Sequence, residues 1–189
     1  MTTYMTGYAG KTMTREQLLQ WTVWQRFEPE FRRRLLALMD ECIAAGKPIG
    51  IGGGWRSSEA QRSLFLSRYR VEDDNDLTGD VFWEGKYWER LPGVAAAAPP
   101  GLSYHEPCTK EGYCLAVDMV GDVAYAASIA AKHNLVDFSK VNGETWHLQP
   151  AELPHSRRNF KPEMVPLKVE ASPVPAPPAP PKPIVVVPA

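Results

Sequence analysis

The chain has 189 residues, 44% of them hydrophobic and 23% charged, and its formal net charge is −1. These values are typical of a single globular domain, and the balanced charge argues against a nucleic-acid-binding protein, which needs a basic excess to neutralise phosphates. No stretch reaches the roughly 18 consecutive apolar residues of a membrane span, and the polar N-terminus lacks the apolar core of a signal peptide.

Proline separates the chain into a folded part and a tail. Nine of the 18 prolines fall within residues 165–189, a composition that favours an extended linker or tail. We therefore expect an N-terminal arm over residues 1–13 and one folded domain over residues 14–164. A linker in this position indicates that a further domain can follow it.

The first two helices have clear start and stop signals. Thr14 and Gln17 match a capping box, and apolar residues follow them at helical spacing. Pro29 can occupy the first turn of a second helix, and Gly46 predicts its end. The three arginines at residues 32–34 are interpreted as a solvated face of this helix rather than a nucleic-acid-binding patch.

The middle of the chain is less regular. Residues 49–55 predict a short strand that runs into a glycine-rich turn. Ser58 and Gln61 can cap a third helix that reaches about Tyr69. Residues 71–98 show no clean period, so they are predicted to form a long loop.

That loop contains part of a calcium-binding pattern. Asp74, Asp76 and Gly79 match the first half of a calcium loop, but Gly85 stands where the closing acid is needed. The segment is therefore either a weak calcium site or an ordinary acidic loop.

The last third of the chain combines one helix with short strands. An Ala-rich helix is predicted over residues 122–133, and strands are predicted over residues 114–120 and 144–149. Helices come first and strands later. The predicted fold class is therefore α+β, with a small antiparallel sheet packed against several helices.

Three potential metal ligands form the most informative pattern. His105, Asp118 and His147 supply two imidazoles and one carboxylate, which suits zinc with a fourth position open to water. Zinc brings the pKa of water towards neutrality, and Glu144 can act on that water as a general base. Residues three apart point to opposite faces of a regular strand. The chain must therefore bend between Glu144 and His147, which Gly143 permits.

This pattern resembles the VanY-like zinc peptidases, a family that includes D-alanyl-D-alanine carboxypeptidases and the L-alanyl-D-glutamate endopeptidases of phage endolysins. The family elements are matched, in order, by Gly54-Trp55-Arg56-Ser57 with Gln61, Pro99-Pro100-Gly101, Ser103-Tyr104-His105, Ala116-Val117-Asp118 and Glu144-Thr145-Trp146-His147. The resemblance covers roughly residues 49–149, about half of the chain.

The resemblance implies a catalytic metal centre. It implies one zinc ion per chain, held by His105, Asp118 and His147. It also implies that Glu144 is the catalytic base and that Arg56 faces the substrate carbonyl. A guanidinium beside the metal stabilises the negative charge that develops on that oxygen. Arg56 can instead form an ion pair with a neighbouring acid.

Three further matched residues are predicted to contribute to substrate binding. Gln61 can order the loop that carries Arg56, or it can serve only as a helix cap. Ser103 is expected to hold its loop rather than to act as a nucleophile. Trp146 can form a wall of the substrate pocket or fill the core.

The chain departs from the family pattern between two of the ligands. The interval from His105 to Asp118 is longer than is usual in the family, and the inserted segment carries Cys108 and Cys114. These cysteines can pair as a disulfide in an oxidising compartment, remain two free thiols, or join His105 in a closed structural zinc site.

The resemblance predicts a zinc-dependent peptidase that cleaves the stem peptides of bacterial peptidoglycan. The polar N-terminus and the Pro-rich tail favour a phage endolysin that cuts between L-Ala and D-Glu. Such a protein is made in the host cytoplasm, acts on the wall after release, and has a wall-binding domain beyond the linker.

A D-Ala-D-Ala carboxypeptidase is the alternative enzyme, although no second arginine for a terminal carboxylate is evident. The alternative that is not an enzyme is a zinc-containing module that binds the wall without cleaving it. Glu144 argues against this alternative, because a purely structural zinc site does not need a general base.

Overall fold

A computed structural model describes residues 2–7, 11–72, 81–138, 143–161, 164–165 and 167. The elements, in chain order, are β1 (Thr3–Thr6), β2 (Thr12–Thr14), α1 (Arg15–Gln20), α2 (Thr22–Gln25), α3 (Pro29–Ala44), β3 (Ile49–Gly53), α4 (Ser58–Leu66), β4 (Tyr69–Val71), β5 (Val81–Trp83), β6 (Lys86–Arg90), β7 (Val117–Gly121), α5 (Val123–Ile129), a 3₁₀ turn (Ala130–His133), β8 (Leu135–Phe138), β9 (Glu144–Pro150) and a second 3₁₀ turn (Arg157–Asn159). The calcium-like pattern at Asp74, Asp76 and Gly79 lies outside the described residues, as does nearly all of the Pro-rich tail.

The main sheet has six strands in the order β2-β1-β3-β7-β9-β8. Its central strands β3, β7 and β9 pair antiparallel, whereas β1 lies parallel to β3. The predicted α+β class is confirmed. The pairing of the sheet is mixed because β1, which belongs to the predicted N-terminal arm at residues 1–13, pairs parallel with β3.

Close packing of β1 against β3 explains why β3 has a glycine at position 50. A Cβ atom at Gly50 would lie 1.7 Å from the carbonyl oxygen of Met5, which no side chain can tolerate. Gly50 therefore lets the backbone of β1 approach the strand that leads into the candidate site.

Helix α3 has the predicted boundaries and forms one side of the core. Pro29 occupies its first turn, and the Glu28 carboxylate caps it by accepting from Phe31 N. Gly46 adopts a φ of +72° just beyond its end, a conformation that glycine reaches without strain. The fully buried residues of its apolar stripe are Phe31, Leu35, Leu38, Met39 and Cys42.

Two helices differ from the sequence prediction at their ends. The capping box of Thr14 and Gln17 is confirmed, but the helix that it starts breaks at Trp21, whose backbone is extended. The cap of α4 is Ser57 rather than Ser58, because the Ser57 hydroxyl accepts from Ala60 N. Helix α4 ends at Leu66, short of Tyr69.

Residues 71–98 are not one long loop. Strands β5 and β6 form a hairpin that pairs with β4 in a three-stranded antiparallel sheet. Trp83 and Trp88 pack edge-on against Phe65 of α4, with ring centroids 5.1 and 5.3 Å away. This aromatic packing holds the second sheet on the helix, and the predicted loop was wrong here.

The arginines at residues 32–34 do not form one solvated face. Only 2% of the Arg34 side chain is exposed, and it forms ion pairs with Glu30 and Glu152. Arg34 thus joins α3 to the segment that follows β9. Among the described residues, no helix combines the length and the apolar character that crossing a membrane requires.

Candidate metal centre and its cavity

Three elements bring the candidate ligands together. His105 lies in the loop that precedes β7, Asp118 in β7 and His147 in β9. Asp118 and His147 are direct cross-strand neighbours in the antiparallel pair β7–β9. Such neighbours project to the same face of a sheet, so the strand register alone places two of the three ligands side by side.

The distances between the ligand atoms fit a tetrahedral metal ion. His105 Nε2 lies 3.4 Å from His147 Nδ1 and 3.4 Å from Asp118 Oδ1, and His147 Nδ1 lies 3.1 Å from Asp118 Oδ1. Ligand atoms at the usual Zn–N and Zn–O distances and tetrahedral angles are separated by about 3.3 Å. These three side chains could therefore hold a metal ion, and their donor atoms suit zinc.

The protonation of the ligands is also suited to a metal ion. His105 Nδ1 lies 2.9 Å from the carbonyl oxygen of Gly54, which requires a proton on Nδ1 and leaves the lone pair of Nε2 for the metal. Burial by itself raises the pKa of Asp118, but His105 and His147, when they are protonated, outweigh it through their charge and hydrogen bonds and hold that pKa well below its usual value; binding of a metal ion displaces those protons. Asp118 is therefore ionised near neutral pH.

A buried carboxylate shapes the loop that carries His105. Glu106 is only 1% exposed, and its carboxylate oxygens accept from the backbone N–H of Gly101 and Ser103 at 2.9–3.2 Å. From the other side, Arg157 donates to the carbonyl oxygens of Ser103 and Pro107 at 2.8 and 2.7 Å. The loop is thus held by side chains that the sequence analysis did not single out.

Ser103 supports the same loop. Its hydroxyl accepts from the backbone N–H of His105 at 3.2 Å, in agreement with the expectation that it holds its loop. The side chain is buried.

Arg56 is positioned by a buried amide. Its Nη1 donates to Gln61 Oε1 at 2.6 Å, and Gln61 Nε2 donates to the carbonyl oxygen of Ala98 at 2.5 Å. Gln61 is 1% exposed, so it orders the arginine rather than capping the helix. Within the described part of the chain, Arg56 has no carboxylate partner, contrary to the ion-pair alternative.

The bend that the sequence required before His147 is present. Along β8, Asp137 pairs with Leu148 and the next residue, Phe138, pairs with Glu144. Three residues of β9 therefore stand opposite no residue of β8, and the regular alternation of faces is interrupted. As a result, Glu144 and His147 both line the same cavity, with Gly143 at a φ of +73° just before the strand.

The cavity has a volume of about 280 Å³, and every predicted site residue except the two cysteines Cys108 and Cys114 lines it. Its walls include all the residues predicted to bind metal or substrate or to act in catalysis, namely Arg56, Gln61, Ser103, His105, Asp118, Glu144, Trp146 and His147. Trp146 is 40% exposed, so it forms a wall rather than filling the core. The sequence analysis missed the lining residues Arg68, Gln149 and His155 and the alanines at residues 95–98. Arg68 could have been found from its spacing of seven residues after Gln61.

The cysteines of the inserted segment lie outside the metal cluster. Cys108 and Cys114 are free thiols in this structure. Burial raises the pKa of the Cys108 thiol to about 11 and raises that of Cys114 further. The group of potential ligands in the described residues consists of His105, Asp118 and His147.

Replacing His147 by alanine is expected to lower bound zinc from about one ion per chain to nearly none, because two ligands rarely hold zinc tightly. Elemental analysis of the dialysed protein measures this directly. His155→Ala is the matched control, since His155 is exposed at the same cavity but is not part of the ligand cluster. Equal zinc in His147→Ala and wild type would contradict the assignment.

Comparisons with known proteins give fold-level similarities only. No family model matches the chain, and no curated protein does. A solved structure of the LdcB LD-carboxypeptidase, described as revealing the basis of peptidoglycan recognition, aligns with 24% identity over 66% of this chain and 65% of that chain, with a TM-score of 0.43. The vancomycin-resistance D,D-dipeptidase VanXYg, solved with a D-Ala-D-Ala phosphinate analogue, aligns with 16% identity over 68% of this chain and 52% of that chain, with a TM-score of 0.39. Both matches span less than two thirds of the other protein, and a likeness of this kind does not transfer an activity.

Proposed function

We propose that this protein is a zinc-dependent peptidase that hydrolyses amide bonds in the peptide stems of bacterial peptidoglycan. The observation that carries the proposal is the presence of Glu144 and Arg56 in one cavity with the ligand cluster. A purely structural metal site needs neither a further carboxylate nor a guanidinium beside its ligands. The ordered motif match to the VanY-like zinc peptidases supports the choice of substrate.

The chain supplies an acid–base residue and an oxyanion donor. Zinc held by the three ligands would supply Lewis acidity that makes water nucleophilic at neutral pH. Glu144 takes a proton from the attacking water and delivers it to the leaving amine nitrogen, so the C–N bond breaks without expelling an amide anion. Arg56 donates to the carbonyl oxygen as negative charge develops there, while Gln61 keeps the guanidinium in position.

Two bonds of the stem peptide are candidates. The first is the amide between L-Ala and D-Glu, the bond that the phage endolysins of the VanY-like family cut. The second is the terminal D-Ala-D-Ala amide. Arg68 also lines the cavity, which removes the objection that no second arginine is present for a terminal carboxylate.

Digestion of purified peptidoglycan, followed by mass spectrometry of the fragments, tests the proposal. Zinc-loaded protein is expected to release peptide fragments. A chelator should abolish this release, and added zinc should restore it. A new amino terminus on D-Glu identifies the endopeptidase, whereas loss of one D-Ala identifies the carboxypeptidase. Binding to peptidoglycan without any cleavage would contradict the proposal and identify a wall-binding module.

A further inference from the structure

The cavity contains an arginine that the proposed reaction does not use. Arg68 lies just beyond the end of α4 and lines the cavity together with Gln61 and Leu64. Gln61 and Leu64 lie three residues apart and therefore share one face of the helix, and Arg68 follows in the turn after its last residue. Arg56, which is hydrogen-bonded to Gln61, and Arg68 are thus two separate guanidinium groups in one cavity.

Arg68 is held in place but is not neutralised. Its Nη1 donates to the carbonyl oxygen of Ala96 at 2.9 Å, and its own carbonyl accepts from Leu91 N at 2.8 Å. No carboxylate among the described residues forms an ion pair with it. A guanidinium has five N–H donors, so one bond to a neutral carbonyl leaves both its charge and most of its donors for a ligand.

The other charged groups of the cavity are already assigned. Asp118 is a candidate metal ligand and Glu144 the candidate base, while Arg56, which is hydrogen-bonded to Gln61, is assigned to the carbonyl that is attacked. The remaining positive charge is that of Arg68, and a guanidinium recognises a carboxylate through paired hydrogen bonds. The cavity lining at residues 95–98 consists of four alanines, whose small side chains carry no charge that could compete for Arg68.

We propose that Arg68 binds a carboxylate of the substrate on the residue that supplies the leaving amine. This inference rests on the proposed function and narrows its substrate class. Both candidate bonds share the feature, because the terminal D-Ala and the γ-linked D-Glu each carry a free carboxylate on the carbon that bears the scissile nitrogen. The protein therefore selects a peptide acid over the corresponding carboxamide.

Calorimetric titration with matched peptides tests this selection. The probes are a peptide that ends in D-Ala-D-Ala and its terminal amide, and an L-Ala-γ-D-Glu peptide and its D-isoglutamine counterpart. The zinc-loaded Glu144→Gln protein is used so that turnover does not disturb binding. For at least one pair, the acid is expected to bind about 10- to 100-fold more tightly than the amide, the change that a hydrogen bond to a charged group produces.

Two arginine variants isolate the contribution of Arg68. Arg68→Gln retains a donor for the Ala96 carbonyl but loses the charge, so it is expected to bind acid and amide equally, whereas Arg68→Lys retains part of the preference. Arg62→Gln on the same helix is the control, because that side chain is 54% exposed and faces Glu84. Two results would overturn the inference. One is equal affinity for acid and amide in the Glu144→Gln protein that retains Arg68, and the other is an unchanged preference for the acid after Arg68→Gln. If the binding test shows a preference for the acid but wild-type protein cleaves neither peptide, the role of Arg68 is supported and the proposed peptidase activity is refuted.

Discussion

Glu144→Gln is expected to lower the rate of wall-peptide cleavage by about 10²–10⁴-fold while zinc remains bound. The amide keeps the shape of the side chain but cannot accept a proton, so the attacking water is no longer deprotonated. Glu144 does not belong to the ligand cluster, so its replacement should not release the metal. Cleavage rates, bound zinc and the melting temperature are measured on the same preparation.

Glu111→Gln provides the control for this experiment. Glu111 is an exposed glutamate of the inserted segment and does not line the cavity, so its replacement is expected to leave the cleavage rate unchanged. Wild-type cleavage by zinc-loaded Glu144→Gln would refute the assigned base even if the metal centre itself is right. A large loss of stability in that variant would instead indicate a role in shaping the start of β9.

Arg34→Met is expected to destabilise the protein by about 3 kcal/mol, the lower end of the range for breaking a buried ion pair. The Arg34 guanidinium donates to Glu152 at 2.8 and 2.9 Å and to Glu30 at 3.1 Å. Among the described residues, its removal leaves the buried Glu30 carboxylate with its two hydrogen bonds to Arg33. For a domain of this size, the corresponding fall in melting temperature is roughly 6–12 °C.

Arg33→Met separates burial from charge. Arg33 binds the same Glu30 carboxylate, but 43% of its side chain is exposed, so its loss is expected to cost less than about 1 kcal/mol. Denaturant unfolding of both variants measures the difference, and equal losses would show that burial does not set the strength of the Arg34 pair.

The same cluster gives stability a dependence on pH. Burial by itself raises the pKa of Glu30, but the guanidinium groups of Arg33 and Arg34 outweigh it and leave that pKa below its usual value. A lowered pKa contributes stability above the pKa of the unfolded chain, and this contribution is lost as the pH falls through the folded value. The destabilisation by Arg34→Met should therefore shrink in acid, below about pH 4.5.

Local signals were sufficient to predict some elements of the fold. Pro29 and Gly46 mark the two ends of α3 because each residue has a backbone preference that acts within one turn. The bend between Glu144 and His147 was also predictable. Residues three apart point to opposite faces of a regular strand, and these two were expected to act at one site. The candidate metal cluster was predicted from the ligand types together with the order of the motifs that resemble the VanY-like zinc peptidases.

Other features depend on contacts between distant parts of the chain. The hairpin of β5 and β6 turns at Glu84 and Gly85, both with positive φ, in place of the Asn-Gly pair that usually announces such a turn. The burial of Arg34 depends on Glu152, 118 residues away. Neither feature has a periodic pattern that a reading of neighbouring residues could detect.

The turn at residues 54–56 and the loop of His105 hold each other through two hydrogen bonds. Gly54 O lies 2.9 Å from His105 Nδ1, and the backbone N–H of Arg56 donates to the carbonyl oxygen of His105 at 2.8 Å. A candidate metal ligand and a candidate substrate-binding residue are thus ordered together, so we expect the two proposed binding equilibria to be coupled. Coupling of this kind is reciprocal: the factor by which zinc tightens peptide binding through this turn equals the factor by which peptide tightens zinc binding. Under the proposed function, a bound substrate is therefore expected to slow the loss of zinc where free zinc is scarce.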